Sequence, residues 1–321
     1  MEREPGNQNP PRYQVDTLTN TMLAQFPVHC AFRDTRLGQP ILHSHRGYEL
    51  YLCVQGSGRF LAGDRVHSLA PGTLVIVRPM ALHLSKPDNK FAFHRFILSV
   101  DEAYLAEWCR RDDRLARCAS ECFPAEESAV LHLSARQAGK LQNTLYELEK
   151  ELRHKEPFYE LSANSLLLQA FVEIARYARR SNEARPEEGS PAAVIEQILS
   201  HIAEHYQEDL HMDRIAARFK LSRSYLYRIF KQHTGCALNE FLIAFRINKA
   251  KAMLMHTKLP VIEIAARSGF NDISHFCHTF KKLVHTTPSG FRTLHASPKP
   301  AEKAPADAAE KRQEARSAEM D

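Results

Sequence analysis

Long apolar runs are missing from this 321-residue chain. No stretch approaches the roughly 18 consecutive apolar residues that a bilayer-crossing helix needs, so no membrane segment is expected. The opening MEREPGNQNPPRYQ is polar and proline-rich, with no apolar centre, and predicts no secretory leader. A cytoplasmic location follows as the expectation. Cysteine is sparse and unpaired in pattern: seven residues, widely spaced, with no CxxC and only Cys118 and Cys122 close together. That fits reduced thiols and disfavours a disulfide framework or a zinc finger. Phosphate-cradling loops of the P-loop kind, HExxH zinc helices and nucleophile elbows are also missing, which removes the commonest enzyme signatures.

What is present points elsewhere. The length suits two domains plus linkers, and 44% hydrophobic residues suffice for ordinary cores. The net charge is +5, and its distribution is uneven. Between Pro191 and His295 there are 14 lysines and arginines against 8 acids, a surplus of six, so the rest of the chain is close to neutral. A basic C-terminal third beside a neutral remainder suits phosphate neutralisation by one domain.

That third repeats itself. Ile215-Ala216, a turn, and a helix carrying Leu226, Ile229, Phe230 and Lys231 reappear as Ile264-Ala265, a Gly269-Phe270 turn, and Phe276, Thr279, Phe280 and Lys281. The first helices align at an offset of 49 and the second at 50. A short helix, a tight turn and a longer helix with apolar residues at i, i+3, i+4 is the pattern of a helix-turn-helix, here in tandem. Between the units, Asn239 to about His256 predicts one helix with two apolar stripes, Ile243, Ile247, Ala250, Leu254 and Phe241, Phe245, Ala252. Such a strut is roughly 27 Å long, suited to holding two reading helices about one DNA turn apart. Pro260 is expected at N1 of the next helix and Pro288 at the start of the last.

From Asp16 to Val100 the pattern is short strands: Tyr48 to Val54, Arg59 to Ala62, Val66 to Leu69, Thr73 to Val77 and Phe93 to Val100, separated by turn signals. This predicts a sandwich or barrel. Gly56-Ser57-Gly58 reads as a hairpin turn. Within the region stand Gly38, His43, His45, Glu49, Gly56, Pro71-Gly72, Pro79 and His83. His-x-His puts two imidazoles on one strand face, and a carboxylate with a distant third imidazole completes a three-His, one-carboxylate set. The spacing Gly-x4-His-x-His-x3-Glu-x6-Gly resembles the first cupin motif, while the second is degraded, with Met80 where glycine is expected. By that resemblance His43, His45, Glu49 and His83 are metal positions at the mouth of a small barrel. Three readings stay open: a pocket for an organic effector, with Tyr51 among its candidates, a divalent metal ion, or a satisfied polar cluster. A cupin-type metalloenzyme or a metal-sensing regulator using the same four residues is the alternative function.

A helix is expected near Glu102 to Arg110, then an unassigned segment to Leu133. Beyond it, Ser134 is a plausible N-cap for a helix whose Leu141, Leu145, Leu148 and Leu152 form a seam. Phe158 to Arg180 carries Leu167, Phe171, Ile174 and Ala178 at the same spacing. Covering the barrel is one use of these stripes; a homodimer contact is the favoured one. The resulting division is a disordered lead (1–15), a cupin-like effector-binding domain (16–133), a helical dimerisation region (134–180), a linker (181–190), a DNA-binding domain (191–295) and a disordered tail (296–321).

The segments LSRSYLYRIFKQHTG, FLIAFRINKAKAML and PVIEIAARSGFNDISHFCHTFKKLVHTTPSGFR together resemble the AraC family of bacterial transcription regulators. The resemblance implies an N-terminal sensory cupin-like barrel, a seven-helix DNA-binding domain, a homodimer, a small-molecule effector, promoter DNA as partner and activation through RNA polymerase. The residues support a DNA reader independently. Ser224, Tyr227, Arg228 and Lys231 share one helix face beside Arg223, and Ser274, Cys277, His278 and Lys281 share the corresponding face beside His275. Arg228 can pair bidentately with guanine, for which the imidazole of His278 is a weaker and less bidentate partner, so the second unit is expected to read its groove less stringently and to lean on phosphate contacts. His285 stands where the first unit has Gly235, a departure expected to alter the helix end.

Overall fold

The computed structural model describes residues 13–34, 41–88, 92–123, 126–179 and 191–295. Gly38, the residues before 13, the expected linker 181–190 and the expected tail 296–321 lie outside the described residues.

Among the described residues the N-terminal half carries ten strands: β1 (Tyr13–Val15), β2 (Val28–Arg33), β3 (Leu42–Ser44), β4 (Gly47–Gln55), β5 (Gly58–Ala62), β6 (Arg65–Leu69), β7 (Thr73–Val77), β8 (His83–Pro87), β9 (His94–Asp101) and β10 (Ser128–His132). Its helices are α1 (Thr17–Gln25), α2 (Glu102–Arg111), α3 (Asp113–Cys122), α4 (Ala135–His154) and α5 (Tyr159–Ala178). The strands form two five-stranded sheets, β1-β3-β8-β5-β6 and β10-β7-β4-β9-β2. Two expectations are corrected here. β4 and β5 belong to different sheets, so the Gly56-Ser57 turn crosses between them and closes no hairpin; Gly56 supplies the φ of +93° that the crossing needs. The lead expected through residue 15 is too long, because Tyr13–Val15 pairs with β3 in parallel.

Strand alternation splits the apolar residues into two cores. Tyr51, Cys53, Val75 and Val77 join Phe60 and Ala62 inside the barrel. Leu50, Leu52, Leu74 and Ile76 point outward from the same strands and meet Leu141, Leu145, Leu148, Leu167, Phe171 and Ile174. The helical seams expected to meet a partner chain are therefore used within this one. Burying β4 on both faces is why it reads as a continuous apolar run rather than an alternating one. Ser134 caps α4 in a reciprocal box with Gln137, which places the helix start beside Leu133 and aims its apolar stripe at the sheet.

Among the described residues the C-terminal domain is helical throughout: α6 (Pro191–His205), α7 (Met212–Arg218), α8 (Arg223–Thr234), α9 (Leu238–His256), α10 (Val261–Arg267), α11 (Ile273–Val284) and α12 (Pro288–His295). α7 with α8, and α10 with α11, are the two helix-turn-helix units, and α9 is the strut between them. Pro260 stands one position before α10, as its N-cap. His285 adopts the left-handed conformation itself, φ 61°, and its N–H caps Lys281 O at 3.0 Å just as Gly235, φ 88°, caps Lys231 O. The expected change of geometry at that helix end does not occur.

The barrel and the helical domain share a core. Leu42, Leu61, Leu82 and Leu84 pack with Ile198, Phe230, Phe241 and Ile247. Polar contacts surround them. Arg59 Nη1 and Lys86 Nζ donate to Gln232 O at 2.6 and 2.9 Å, and Lys249 pairs with Glu127 at 2.6 Å. These carbonyl contacts fall at the C-terminal end of α8, where cations also complement the helix dipole.

Candidate functional site

β3 ends on Ser44 and His45 follows it directly, so along His43, Ser44, His45 the two imidazoles face one way and Ser44 the other. His43 is opposite His83 in the β3–β8 pairing, and Glu49 enters from β4. His43, His45, Glu49 and His83 are all buried, and one potential ligand atom from each lies within 4.8 Å of the others. The four sequence-predicted positions are thus brought together.

Their hydrogen bonds define the chemistry. His43 Nδ1 lies 3.0 Å from Ile41 O, His45 Nδ1 3.1 Å from Gly47 O and His83 Nδ1 2.9 Å from Ala81 O. A carbonyl oxygen only accepts, so each Nδ1 carries a proton, and any ring that is neutral presents its Nε2 lone pair. Backbone carbonyls fixing ring orientation and tautomer in this way are the usual support of metal-ligating histidines. His45 Nε2 is 3.0 Å from Glu49 Oε2, so both nitrogens of that ring face acceptors and a cation, proton or metal, must stand between ring and carboxylate. His83 Nε2 is fully buried, 3.7 Å from Glu49 Oε2, and makes no hydrogen bond. A buried nitrogen aimed at a carboxylate without bonding it fits a shared cation. The donor set, three imidazoles and one carboxylate, suits a divalent transition metal rather than calcium or magnesium.

The charges are set by the same geometry. Burial, with His83 beside it, pushes His43 down to about 3. Burial works against the charge of Glu49, but His83 and the hydrogen bond from His45 outweigh it and hold the carboxyl well below its usual range. Burial also opposes charge on His83, yet Glu49 wins and raises it. The cluster therefore has one strong anion and at least one neutral imidazole at neutral pH, both ready to ligate.

The adjoining cavity holds about 10 Å³, room for one water-sized body, and Tyr51, Ser85 and Arg95 line it with the cluster. Tyr51 Oη and Ser85 Oγ are 2.7 Å apart. Burial pushes the Tyr51 phenol above its usual range, so it stays a neutral donor. Arg95 escaped the sequence reading; its alternation with Ile97 and Ser99 on one face of β9 was the available signal.

The second candidate surface is the exposed side of the helical domain. Ser224, Arg228 and Lys231 on α8 are exposed and Tyr227 is half-buried; Ser274, His275, His278 and Lys281 on α11 are exposed and Cys277 is half-buried. Residues 223–230 and 273–280 have the same residue-by-residue burial pattern. Arg223 leans toward Asp213 at 3.3 Å, and Arg228 lies over the Tyr225 ring at 5.0 Å. Both interactions are exposed, and neither immobilises the guanidinium.

A two-sheet strand-built domain docked on two helix-turn-helix units with matching exposed faces defines a two-domain DNA-binding regulator. Comparison with known families agrees. A model of AraC-like ligand-binding domains matches residues 33–171 and a helix-turn-helix domain model matches residues 215–293. The chain belongs to the AraC family of transcription regulators. Among curated relatives, an uncharacterized HTH-type transcriptional regulator YfiF of Bacillus subtilis is 28% identical, covering 85% of both chains. The HTH-type transcriptional activator RhaS of Escherichia coli is 23% identical, covering 78% of this chain and 86% of its own. A solved DNA-binding domain of AdpA in complex with a target DNA is 27% identical over 33% of this chain and 95% of its own, with a TM-score of 0.31.

Proposed function

We propose that this regulator is an activator whose barrel holds a divalent transition-metal ion on His43, His45, Glu49 and His83, and whose α8 and α11 read promoter DNA. The observation that carries the metal assignment is the convergence of three buried imidazoles, each with Nδ1 committed to a backbone carbonyl, on one carboxylate. Bound there, a metal ion supplies a fixed point of charge that ties β3, β4 and β8 together. A cavity of about 10 Å³ suits an ion better than an organic molecule. A second reading, an organic effector, has one observation in its favour: a cavity of about 320 Å³ between the domains, lined by Asp64, Arg65, Glu127 and Phe245. Activation, contact with RNA polymerase and a regulatory rather than enzymatic role rest on the family and on relatives named as regulators. A homodimer is part of the reading. With the leucine seams buried, its contact uses the outer face of α4 and α5, where Tyr146, Phe158 and Leu161 are exposed.

The DNA assignment has its own test. Arg223, Ser224, Tyr227, Arg228 and Lys231 serve the first unit, and Ser274, His275, Cys277, His278 and Lys281 the second. Arg228→Ala is expected to weaken operator binding by about 1–3 kcal/mol and to relax sequence preference in one half-site, while His278→Ala costs less and relaxes neither. Selection from a random duplex library supplies the operator and titration the affinities. Equal affinity of parent and Arg228→Ala protein for that operator contradicts the assignment.

A further inference from the structure

We propose that α9 couples the metal cluster to both DNA-reading units, through Ser44 and Met80; this rests on the metal assignment above. Ser44 sits between two ligands, His43 and His45, and its side chain leaves the barrel on the opposite face. It is fully buried against α9, where Ser44 Oγ donates to Asn248 Oδ1 at 2.9 Å and Lys251 Nζ donates to Ser44 Oγ at 2.7 Å. Met80 lies three residues before His83. Its N–H donates to His45 O at 2.7 Å, and its own carbonyl accepts from Asn248 Nδ2. One side chain of the helical domain, Asn248, therefore grips both segments that carry the imidazoles.

The same helix is packed between the two reading units. Phe241 of α9 meets Phe230 of α8 with ring centroids 5.8 Å apart, and α9 also packs on α10 and α12. A shift of α9 is a shift of both units. A cation shared by His43, His45 and His83 fixes the spacing of β3 and the start of β8, and Asn248 spans β3 and the turn at Met80 that leads into β8. Cation binding and docking of α9 then stabilise each other, and each raises the other's affinity by the same factor.

Reciprocity gives a test that needs no operator. The affinity of the full chain for Co(II) is measured by competition with a chromophoric chelator, for the parent and for Asn248→Ala. The variant retains all four ligands, and its Kd is expected to rise about 5- to 10-fold with the stoichiometry still one. Lys249→Ala, which removes a contact to the ligand-free segment at Glu127, is the comparison and should shift Kd less than twofold. Ser44→Ala approaches the same link from the barrel side. Combined with Asn248→Ala it should weaken binding no further than the larger single change, whereas independent damage to two sites would multiply. All variants are required to keep the parent's far-ultraviolet circular dichroism. Full Co(II) uptake with Asn248→Ala unchanged, or shifted no more than Lys249→Ala, overturns the coupling and leaves the metal site standing. A parent chain that takes up no Co(II) overturns the metal assignment, and the coupling with it.

Discussion

Two of the places where this protein buries polar side chains do so in opposite ways. Inside the barrel, His43, His45 and His83 each spend one nitrogen on a neighbouring carbonyl, and His45 and His83 aim the other at Glu49, leaving His83 Nε2 buried without a hydrogen bond. Between the domains, Ser44, Asn248, Lys251 and the Met80 carbonyl bond one another across the interface. The first arrangement is incomplete and convergent, which is the physical mark of a ligand site. The second is mutually satisfied, which specifies how two surfaces dock. The end of β3 and the residue after it serve both, because alternation sends His43 and His45 to one side and Ser44 to the other.

Breaking the barrel cluster should have the largest effect. In chelator-treated protein, His45→Ala leaves the buried Glu49 carboxylate without its 3.0 Å partner, and a loss of about 3–5 kcal/mol is expected. Denaturant unfolding is followed by the fluorescence of Trp108, the single tryptophan, which lies on α2 of this domain. A loss below 1 kcal/mol would show that Glu49 is already satisfied elsewhere.

The interface should respond differently. Burial pushes Lys251 down to about 7, from an ordinary value near 10.5, so below pH 7 the folded chain carries a desolvation cost for the charge at this position. Between pH 7 and 10.5 the unfolded lysine binds the proton and the folded one does not, so parent stability rises with pH across that window. Lys251→Met removes the charge while Asn248 still holds Ser44. It is expected to be neutral to stabilising by about 1–4 kcal/mol at pH 6, with the difference shrinking toward pH 10. Arg46 and His295 lie on the same side of the interface, bonded to each other at 3.2 Å, and burial lowers His295, so its titration is confined to pH below the window. A difference independent of pH would place the Lys251 ammonium in a solvated setting.

Met80, where the two regions meet, should give the smallest effect. It holds φ at 64°, a left-handed conformation that costs a non-glycine residue roughly 1 kcal/mol. Met80→Gly is expected to leave stability unchanged or raise it by about 1 kcal/mol or less, since relief of strain is offset by backbone entropy. A clear loss in thermal unfolding would mean that the Met80 side chain, not its backbone, secures the junction.

These contrasts also explain what could be read from the residues alone. The tandem units, the strut and the His/Glu set were legible because each has a fixed spacing imposed by helix or strand geometry. The structure brings the four cluster residues together as that spacing implies. Even the degraded second motif was a clue, since Met80 occupies the left-handed backbone that a glycine would take. What depends on long-range packing was not legible. Leu141, Leu145 and Leu148 form a seam that a partner helix or a sheet could cover equally well, and the sheet covers it. On α9 two apolar stripes were visible, but Asn248 and Lys251 fell between them as ordinary polar positions. Their burial comes from a third face, turned to the barrel, that no period in the helix announces. The crossing at Gly56-Ser57 misread as a hairpin has the same cause, since sheet membership is decided by distant strands.

The most direct measurement is the metal content of the full chain purified without chelators or a histidine tag, beside a His43→Ala/His45→Ala double variant. Elemental analysis is expected to find about one equivalent of a divalent transition metal in the parent and none in the variant. Absence of metal from a parent chain that also fails to take up added Zn(II) or Co(II) would contradict the account and turn the search for an effector to the cavity between the domains.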